Sequence, residues 1–230
     1  MLQQKFFGIK TLLICDKVFA MIELEQEWLK GRSSLGAAAK WTADEIRLVA
    51  EIGYALADQG RIEEAISLFE GLTQDYNKTA HAQSYFGRAT AKQSKGLIKE
   101  SLIDFDKALE IYPNSIETLI NRGVAKQTLG DSKGAIADYS KAIEIFPKNA
   151  IAFLNRGMAL ENTDINAAIT DYTKVIELDP KQSQAFVRRA LLYLKQKKKR
   201  EAVQDFDRAF LLEPSLKTEY KGFYVDAKKP

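Results

Sequence analysis

The 230-residue sequence contains one cysteine and one histidine. Cys15 alone cannot form a disulfide within the chain, and a single cysteine suits a reducing compartment. His81 alone cannot build a histidine-rich metal site, and no second strong zinc ligand neighbours it. The sequence also lacks a Cys-x-x-Cys pair, a His-Glu-x-x-His motif and a glycine-rich phosphate loop. We therefore expect no enzymatic activity, no bound metal and no cofactor.

Long uncharged apolar runs are absent as well. The stretch from Phe6 to Ile22 is rich in apolar residues, but Lys10, Asp16 and Lys17 interrupt it. A membrane-spanning helix needs about 20 consecutive, mostly apolar residues, and no run of that length remains between these charges. The sequence therefore does not predict a spanning helix.

The same segment is a poor match to a secretory signal. Its uncharged apolar core would run only from Thr11 to Cys15, which is shorter than the roughly 7–15 residues of such signals. Two other interpretations stay open: translation begins at Met21, or the segment forms an amphipathic helix that packs on the rest of the protein. We expect a cytoplasmic protein, with export or membrane association through residues 1–22 as the alternative.

Charge of one sign is not in large excess. The chain has 34 Lys and Arg against 31 Asp and Glu, and a net charge of +3 does not by itself indicate a nucleic-acid binder. One basic cluster, residues 195–200 with Arg188 and Arg189 before it, contains no acidic residue. Tyr193 is the one aromatic residue interleaved with it, so a series of rings on which bases could stack is missing. We interpret the cluster as a solvated turn and expect no nucleic-acid partner.

An internal repeat dominates the rest of the chain. Aromatic residues recur at intervals of 36, 34, 33 and 34, and a small residue precedes each of them by four positions. The aromatic residues are Phe69, Phe105, Tyr139, Tyr172 and Phe206, and the small ones are Ala65, Ser101, Ala135, Ala168 and Ala202. A period near 34 residues over five copies predicts stacked units, none of which can bury its apolar face alone. Such a solenoid offers an extended binding surface rather than an enclosed catalytic pocket.

Other positions keep the same phase. With Ile116 as repeat position 1, position 8 is small in every copy, and position 32 is proline in the last four. These residues are Gly53, Ala89, Gly123, Gly157 and Ala190, then Pro113, Pro147, Pro180 and Pro214. Small residues at positions 8 and 20 allow two helices to cross closely, and proline cannot continue a helix. The pattern resembles the tetratricopeptide repeat over about residues 46–214, most clearly in the stretch 119–147.

The resemblance implies an all-α fold, a right-handed α-solenoid of helix–turn–helix repeats. Gly60, Gly96 and Gly130 occupy position 15, where a left-handed residue commonly ends the first helix of a pair. The fourth copy lacks this glycine, and its turn at 161–166 is one residue shorter. The expected helix pairs are 43–58 with 61–75, 82–95 with 97–111, 115–129 with 131–145, 149–162 with 164–178, and 182–196 with 198–212.

Three regions follow from this arrangement. Residues 1–41 form an N-terminal apolar or amphipathic segment and linker. Residues 42–214 form the five repeats, and residues 215–230 form a short C-terminal cap and basic tail. We expect the cap to be one short helix that stops near Gly222.

Two acidic pairs, Glu63–Glu64 and Asp104–Asp106, fall on the second helices of their repeats. In the implied fold these helices face outward. We therefore expect all four carboxylates to face solvent and none to act as a catalytic acid or base.

The resemblance implies that the first helix of each pair lines a concave groove, with positions 2, 5, 6, 9, 12 and 13 facing it. In this sequence those positions form an apolar strip with amides and one guanidinium along it. Such a surface suits an extended or helical segment, whose apolar side chains enter the strip while Asn121, Asn155 and Arg188 hold polar groups. The expected partner-binding residues are Phe86, Ile120, Asn121, Val124, Leu154, Asn155, Met158, Val187, Arg188 and Leu191.

We expect a protein–protein interaction scaffold or chaperone that binds a protein or peptide partner in this groove. The first repeat, at 41–74, is similar to the opening repeat of bacterial type III secretion chaperones, so a chaperone for an exported protein is one alternative. A membrane-associated assembly factor, anchored by the N-terminal segment, is another. A membrane partner is not otherwise expected, and the apolar termini allow a homo-oligomer.

Overall fold

Helical hairpins follow one another along the chain, as the repeat predicts. The computed structural model describes residues 43–72 and 78–229, and every regular element in these ranges is an α-helix. Predictions that concern residues 1–42, 73–77 and 230 lie outside the described residues. The described helices are α1 (Ala43–Asp58), α2 (Ile62–Leu72), α3 (Lys78–Ser94), α4 (Ile98–Ile111), α5 (Ile116–Thr128), α6 (Ser132–Ile145), α7 (Ala150–Leu160), α8 (Ile165–Leu178), α9 (Ser183–Lys195), α10 (Lys199–Leu212), α11 (Leu216–Glu219) and α12 (Lys221–Lys228).

Capping side chains fix several helix starts. Asp131, Asn149 and Asp164 each accept a hydrogen bond from the backbone N–H three residues later, at 2.9–3.0 Å, and so begin α6, α7 and α8. Where both ends are described, the predicted helix pairs agree with the structure within two residues, except that α3 begins at Lys78 rather than at residue 82. The sequence pattern therefore sets the hairpins and their turns.

The repeat aromatics form the core, as predicted. All five rings are fully buried, and the residues at position 20 are equally closed to solvent. A Cβ added at Gly123 would lie 2.5 Å from Cε1 of Tyr139, and one added at Gly157 would lie 2.9 Å from Cε1 of Tyr172. Full burial of an aromatic side chain contributes roughly 1.5–3 kcal/mol. The rings therefore depend on the small residue at position 8 for the space that they fill.

The hairpins stack into a solenoid. Each helix from α1 to α10 packs against its chain neighbours, and first helices of successive repeats also touch, as α1 with α3, α3 with α5, and α5 with α7. The buried residues form a series of clusters along the stack instead of one central core. Each repeat thus completes its core only with the help of its neighbours, as expected for repeat proteins.

The turns between paired helices use left-handed residues. Gly60, Gly96 and Gly130 have φ values of +78°, +83° and +84°. In the fifth repeat Lys197 takes the same place with φ +61°, a conformation in which a side chain costs about 1–2 kcal/mol. The shorter turn of the fourth repeat has no positive φ, so it needs no glycine.

The C-terminal cap differs from the prediction. After α11, the chain forms α12, which runs through Gly222 to Lys228, so the expected stop near Gly222 is wrong. Packing overrides the low helix propensity of glycine here. The ring of Tyr224 lies 5.3 Å from that of Phe210 and 6.2 Å from that of Phe206, and Ala227 is buried. Helix α12 therefore closes the apolar end of the last repeat.

Ala135→Leu or Ala168→Leu should lower the free energy of unfolding by roughly 1–3 kcal/mol, because each Cβ is fully buried where two helices cross. Urea unfolding followed by circular dichroism measures the loss. Ala137→Leu, at an exposed position on the same helix as Ala135, is the matched control and should unfold like the wild type. Unchanged unfolding of both core variants would contradict the close packing at position 20.

Lys197→Gly should raise the free energy of unfolding by about 0.5–1 kcal/mol, because relief of the left-handed strain exceeds the entropy that glycine adds to the unfolded chain. Gly130→Ala should lower it by about 1 kcal/mol. A Cβ at Gly130 would touch nothing within 4 Å, so only the backbone conformation can cause that loss. Both variants can be measured by urea unfolding, and a Lys197→Gly protein less stable than the wild type would contradict the assignment of strain.

Candidate functional site

The first helices carry all ten predicted partner-binding residues, on α3, α5, α7 and α9. Val124 is exposed, with 37% of its surface accessible, whereas Ile120 (9%) and Val187 (2%) are buried within core clusters. Ile120 and Val187 therefore offer little surface to a partner, which leaves eight of the ten predicted partner-binding residues accessible. The other seven residues are half-buried: Phe86, Asn121, Leu154, Asn155, Met158, Arg188 and Leu191.

Position 6 holds Asn121, Asn155 and Arg188 in successive repeats, but their surroundings differ. The side-chain N–H of Asn121 donates to the carbonyl oxygen of Glu117, one turn earlier in α5, at 2.9 Å. Arg188 Nη1 donates to Glu161 Oε1 at 2.9 Å. Within the described part of the chain, the side chain of Asn155 makes no hydrogen bond. Asn155 is therefore the amide best able to bind a partner's backbone.

Position 12 links the groove to the core, which the sequence analysis missed. Tyr139 donates its hydroxyl hydrogen to Gln127 Oε1 at 3.1 Å, and Tyr172 donates to Glu161 Oε1 at 2.6 Å. Burial raises the pKa of Tyr172, and the hydrogen bond and charge of Glu161 raise it further. The sequence carried only a partial signal: both tyrosines at position 24 occur with Gln or Glu at position 12, but the second repeat combines Gln93 with Phe105.

Two carboxylates, those of Glu51 and Glu117, lie on the first helices of the first and third repeats. Burial raises the pKa of Tyr54 on α1 to about 12, and the charge of Glu117 on α5 acts in the same direction. This influence places Glu117 near Tyr54, although they belong to the first and third repeats. Glu51 is exposed on α1, one turn before Tyr54. The first helices of the first and third repeats therefore each carry one of these two exposed carboxylates.

The opposite end of the groove contains a cavity of about 440 Å³. Its apolar lining comes from α9 and from Phe223 of the cap, and its charged lining is Arg188, Lys195 and Glu161. Glu161 already accepts hydrogen bonds from Tyr172 and Arg188, so its negative charge is largely compensated within the protein. The complete lining is Glu161, Arg188, Leu191, Leu192, Leu194, Lys195 and Phe223.

A ladder of arginine–aspartate pairs fixes each groove helix to its partner helix. In the last four repeats the arginine at position 7 donates two hydrogen bonds to the aspartate at position 23. The donor–acceptor distances lie between 2.5 and 2.9 Å. The hydrogen bonds that Arg156 donates to Asp171 outweigh burial and raise the pKa of the Arg156 guanidinium. The pairs are Arg88–Asp104, Arg122–Asp138, Arg156–Asp171 and Arg189–Asp205.

All four arginines also reach the preceding repeat: Arg88 Nη1 lies 3.9 Å from Glu70 Oε1, and the other three donate hydrogen bonds. Arg122 Nη1 donates to Asp106 at 2.7 Å, Arg156 Nη1 to Ser140 at 3.1 Å, and Arg189 Nη1 to Thr173 at 2.8 Å. Each of the three acceptors occupies position 25 of the repeat before. One guanidinium thus joins three helices, and the ladder fixes the spacing of successive groove helices.

The ladder corrects one prediction about the acidic pairs. Asp104 does not face solvent: its side chain is 1% exposed and binds both Arg88 and Lys92. Asp106 is exposed, as expected, although it pairs with Arg122. The sequence analysis overlooked the signal for this ladder, which is an arginine at position 7 matched by an aspartate at position 23 in four of the five copies.

An α-solenoid of helical hairpins with a groove along its first helices belongs to the class of helical-repeat interaction scaffolds. One sequence model described as tetratricopeptide repeat matches residues 51–116 and 159–211, and a second model of the same description matches residues 116–149. The chain belongs to the tetratricopeptide repeat family. Proteins of this family typically act as protein–protein interaction scaffolds and not as enzymes.

Solved structures of similar fold share about a fifth of their residues with this chain. MamA is 20% identical with a TM-score of 0.66, over 73% of this chain and 97% of MamA. MamA 41-end from Desulfovibrio magneticus RS-1 is 19% identical with a TM-score of 0.68, over 76% and 98% of the two chains. YrrB, described as a TPR protein with an unusual peptide-binding site, is 21% identical with a TM-score of 0.62, over 73% and 86%. At these identities the likeness shows the fold alone.

None of the curated protein sequences matches the chain. The similarity of the first repeat to type III secretion chaperones stays a prediction, because the structures named above are not such chaperones. Of the helices that the structure describes, none is both long and apolar enough to cross a membrane. Within residues 43–72 and 78–229, no group of three or more His, Cys, Asp or Glu side chains could hold a metal ion.

Asp171→Leu should lower the free energy of unfolding by roughly 2–3 kcal/mol, because it leaves Arg156 charged and without its carboxylate. The loss stays below that of a fully buried pair, since the Arg156 side chain keeps 23% of its surface exposed. The first repeat shows an apolar alternative, with Ile52 and Leu68 at the two ladder positions.

The double variant Arg156→Ile/Asp171→Leu copies that apolar pair and should lose at most about 1 kcal/mol. Urea unfolding of the wild type, the single variant and the double variant provides the comparison. If the double variant is no more stable than Asp171→Leu, the penalty does not come from the unpaired arginine.

Proposed function

We propose that the groove binds an extended or helical segment of a protein partner, so that the protein acts as an interaction scaffold or chaperone. The observation that carries this proposal is the lining of the groove itself. Half-buried apolar side chains, among them Leu154, Met158 and Leu191, lie on successive first helices. Such a surface is too exposed for a core and too apolar for an ordinary solvated face.

The polar groups along this strip supply direction and specificity. Asn155 lies between Leu154 and the next groove position at Met158, and its amide can both donate and accept hydrogen bonds. A partner's backbone needs such groups, because a peptide that leaves water must replace its lost hydrogen bonds. The strip and the amide together support binding of a segment by both its side chains and its backbone.

Scaffold and chaperone use the same surface and differ in the partner. Affinity capture followed by mass spectrometry identifies that partner: a stable complex favours the scaffold, and an exported protein favours a chaperone of the type III secretion kind. An anchoring role for the N-terminal segment concerns residues outside the described ranges, and a membrane-associated assembly factor stays an alternative only through them.

Asn155→Ala should weaken binding of the captured partner by about 1 kcal/mol, roughly fivefold in Kd, because the hydrogen bonds of one half-buried amide are lost. Asn121→Ala should have a smaller effect, since that amide already bonds to the carbonyl of Glu117. Helicity should be unharmed, because alanine is a better helix former than asparagine. Isothermal titration measures the affinities, with circular dichroism as the folding control.

Asn114→Ala is the matched control, because Asn114 is exposed in the loop between the second and third repeats and not on a first helix. It should bind like the wild type. If the Asn121→Ala/Asn155→Ala double variant folds and binds the partner with wild-type affinity, the binding site lies elsewhere on the protein.

A further inference from the structure

In the folded protein, the basic cluster lies beside the cavity at the last-repeat end of the groove. We define the basic end as Lys195, Lys197, Lys198 and Arg200, all of which are exposed. Lys195 also lines the cavity at the last-repeat end of the groove, beside Leu191, Leu194 and Phe223. The groove and this cationic surface are therefore continuous.

The four cations of the basic end lack carboxylate partners. Within the described residues, no Asp or Glu lies at ion-pair distance from any of them, whereas Lys92 and Lys126 at position 11 each bind a ladder aspartate at 2.8 Å. Lys198 has only the ring of Tyr193, 5.8 Å from its Nζ. Like charges held this close repel one another, and an anionic partner would relieve that repulsion.

Two tertiary features shape the cationic surface. Lys197 occupies the left-handed turn position that is glycine in the first three repeats. A charged side chain is therefore present at a position where backbone strain favours glycine. The C-terminal tail reaches the same turn, because Lys199 Nζ donates to the carbonyl oxygen of Lys229 at 3.0 Å. This contact places the end of the cap beside the basic end, where Lys229 is paired with Asp226 at 2.6 Å.

Exposed carboxylates lie on first helices away from the basic end, with Glu51 on α1 and Glu117 on α5. A bound segment would therefore meet positive charge at the basic end and carboxylates nearer the first repeat. Complementary charges of this kind orient a partner and speed its association.

We propose that the basic end binds an acidic stretch of the partner segment, next to the part held in the groove, and so orients the segment with its acidic end toward the cap. That the acidic stretch lies next to a segment held in the groove rests on the proposed function of the groove. A protein segment fits better than a nucleic acid, because the adjoining cavity is lined by leucines and Phe223, and Tyr193 alone offers a ring for base stacking.

The probe is fluorescein-labelled octaglutamate, with a labelled glycine–serine peptide of equal length as the neutral reference, and binding is followed by fluorescence anisotropy. The test variant is Lys195→Gln/Lys197→Gly/Lys198→Gln/Arg200→Gln, in which glycine suits the turn. The matched control, Lys133→Gln/Lys141→Gln/Lys148→Gln/Lys181→Gln, removes the same charge from exposed positions elsewhere.

The wild type should bind octaglutamate and not the neutral peptide, and the affinity should fall as salt is added. The test variant should bind on the order of tenfold more weakly, whereas the control should stay within about twofold of the wild type. Equal losses in both variants would show an effect of net charge alone and overturn the proposal. Absence of octaglutamate binding by the wild type would overturn it as well.

Two further probes separate the other partners. Stronger binding to vesicles of phosphatidylglycerol, or to single-stranded DNA, than to octaglutamate would reassign the basic end to a membrane or a nucleic acid and overturn the proposal. Octaglutamate does not occupy the apolar strip, so its failure to bind would leave the groove proposal intact. Conversely, if Asn155→Ala weakens binding of the captured partner and the test variant does not, the groove proposal stands and the proposed orientation of the segment is overturned.

Discussion

The close crossing of the two helices in each hairpin is the contact on which the rest of this protein depends. An aromatic ring at position 24 is fully buried, and the small residue at position 8 leaves the space that it fills. A larger residue at position 8 or 20 would separate the helices, and each repeat shares its core with the next. The groove exists because this contact recurs along the chain and keeps the first helices side by side.

The arginine–aspartate ladder adds direction to that packing. Buried apolar contacts are not directional, whereas a bidentate guanidinium–carboxylate pair has a defined geometry. The third hydrogen bond from Arg122, Arg156 or Arg189 reaches the preceding repeat, so the same group fixes both the hairpin and the stacking. Because the residues at positions 7, 8, 20, 23 and 24 stabilise the packing, the residues at positions 6 and 9 can differ between repeats. That division of roles allows a generic repeat to present a particular surface.

The surface so presented changes along the stack. Position 6 runs from Asn121 to Asn155 to Arg188, and the structure gives each a different partner or none within the described residues. Glu161 accepts hydrogen bonds from a core tyrosine and a groove arginine, which couples the groove to the packing beneath it. Exposed carboxylates on α1 and α5 and the cations of the basic end distribute charge unevenly along the groove, which suits an asymmetric partner segment.

Local pattern determined the hairpins, their turns, the buried aromatics and the tight position of Ala135, because helix period, proline and glycine act within a few residues. The same information placed the candidate residues on the first helices. Tertiary structure alone decided that Ile120 and Val187 are buried, and that α12 continues through Gly222 to pack on the last repeat. It also decided that the side chain of Asp104 is buried, although the recurrence of Arg and Asp sixteen residues apart was a sequence signal for its pairing with Arg88. Such outcomes depend on which surfaces meet across helices, and the period of a single helix does not contain that information.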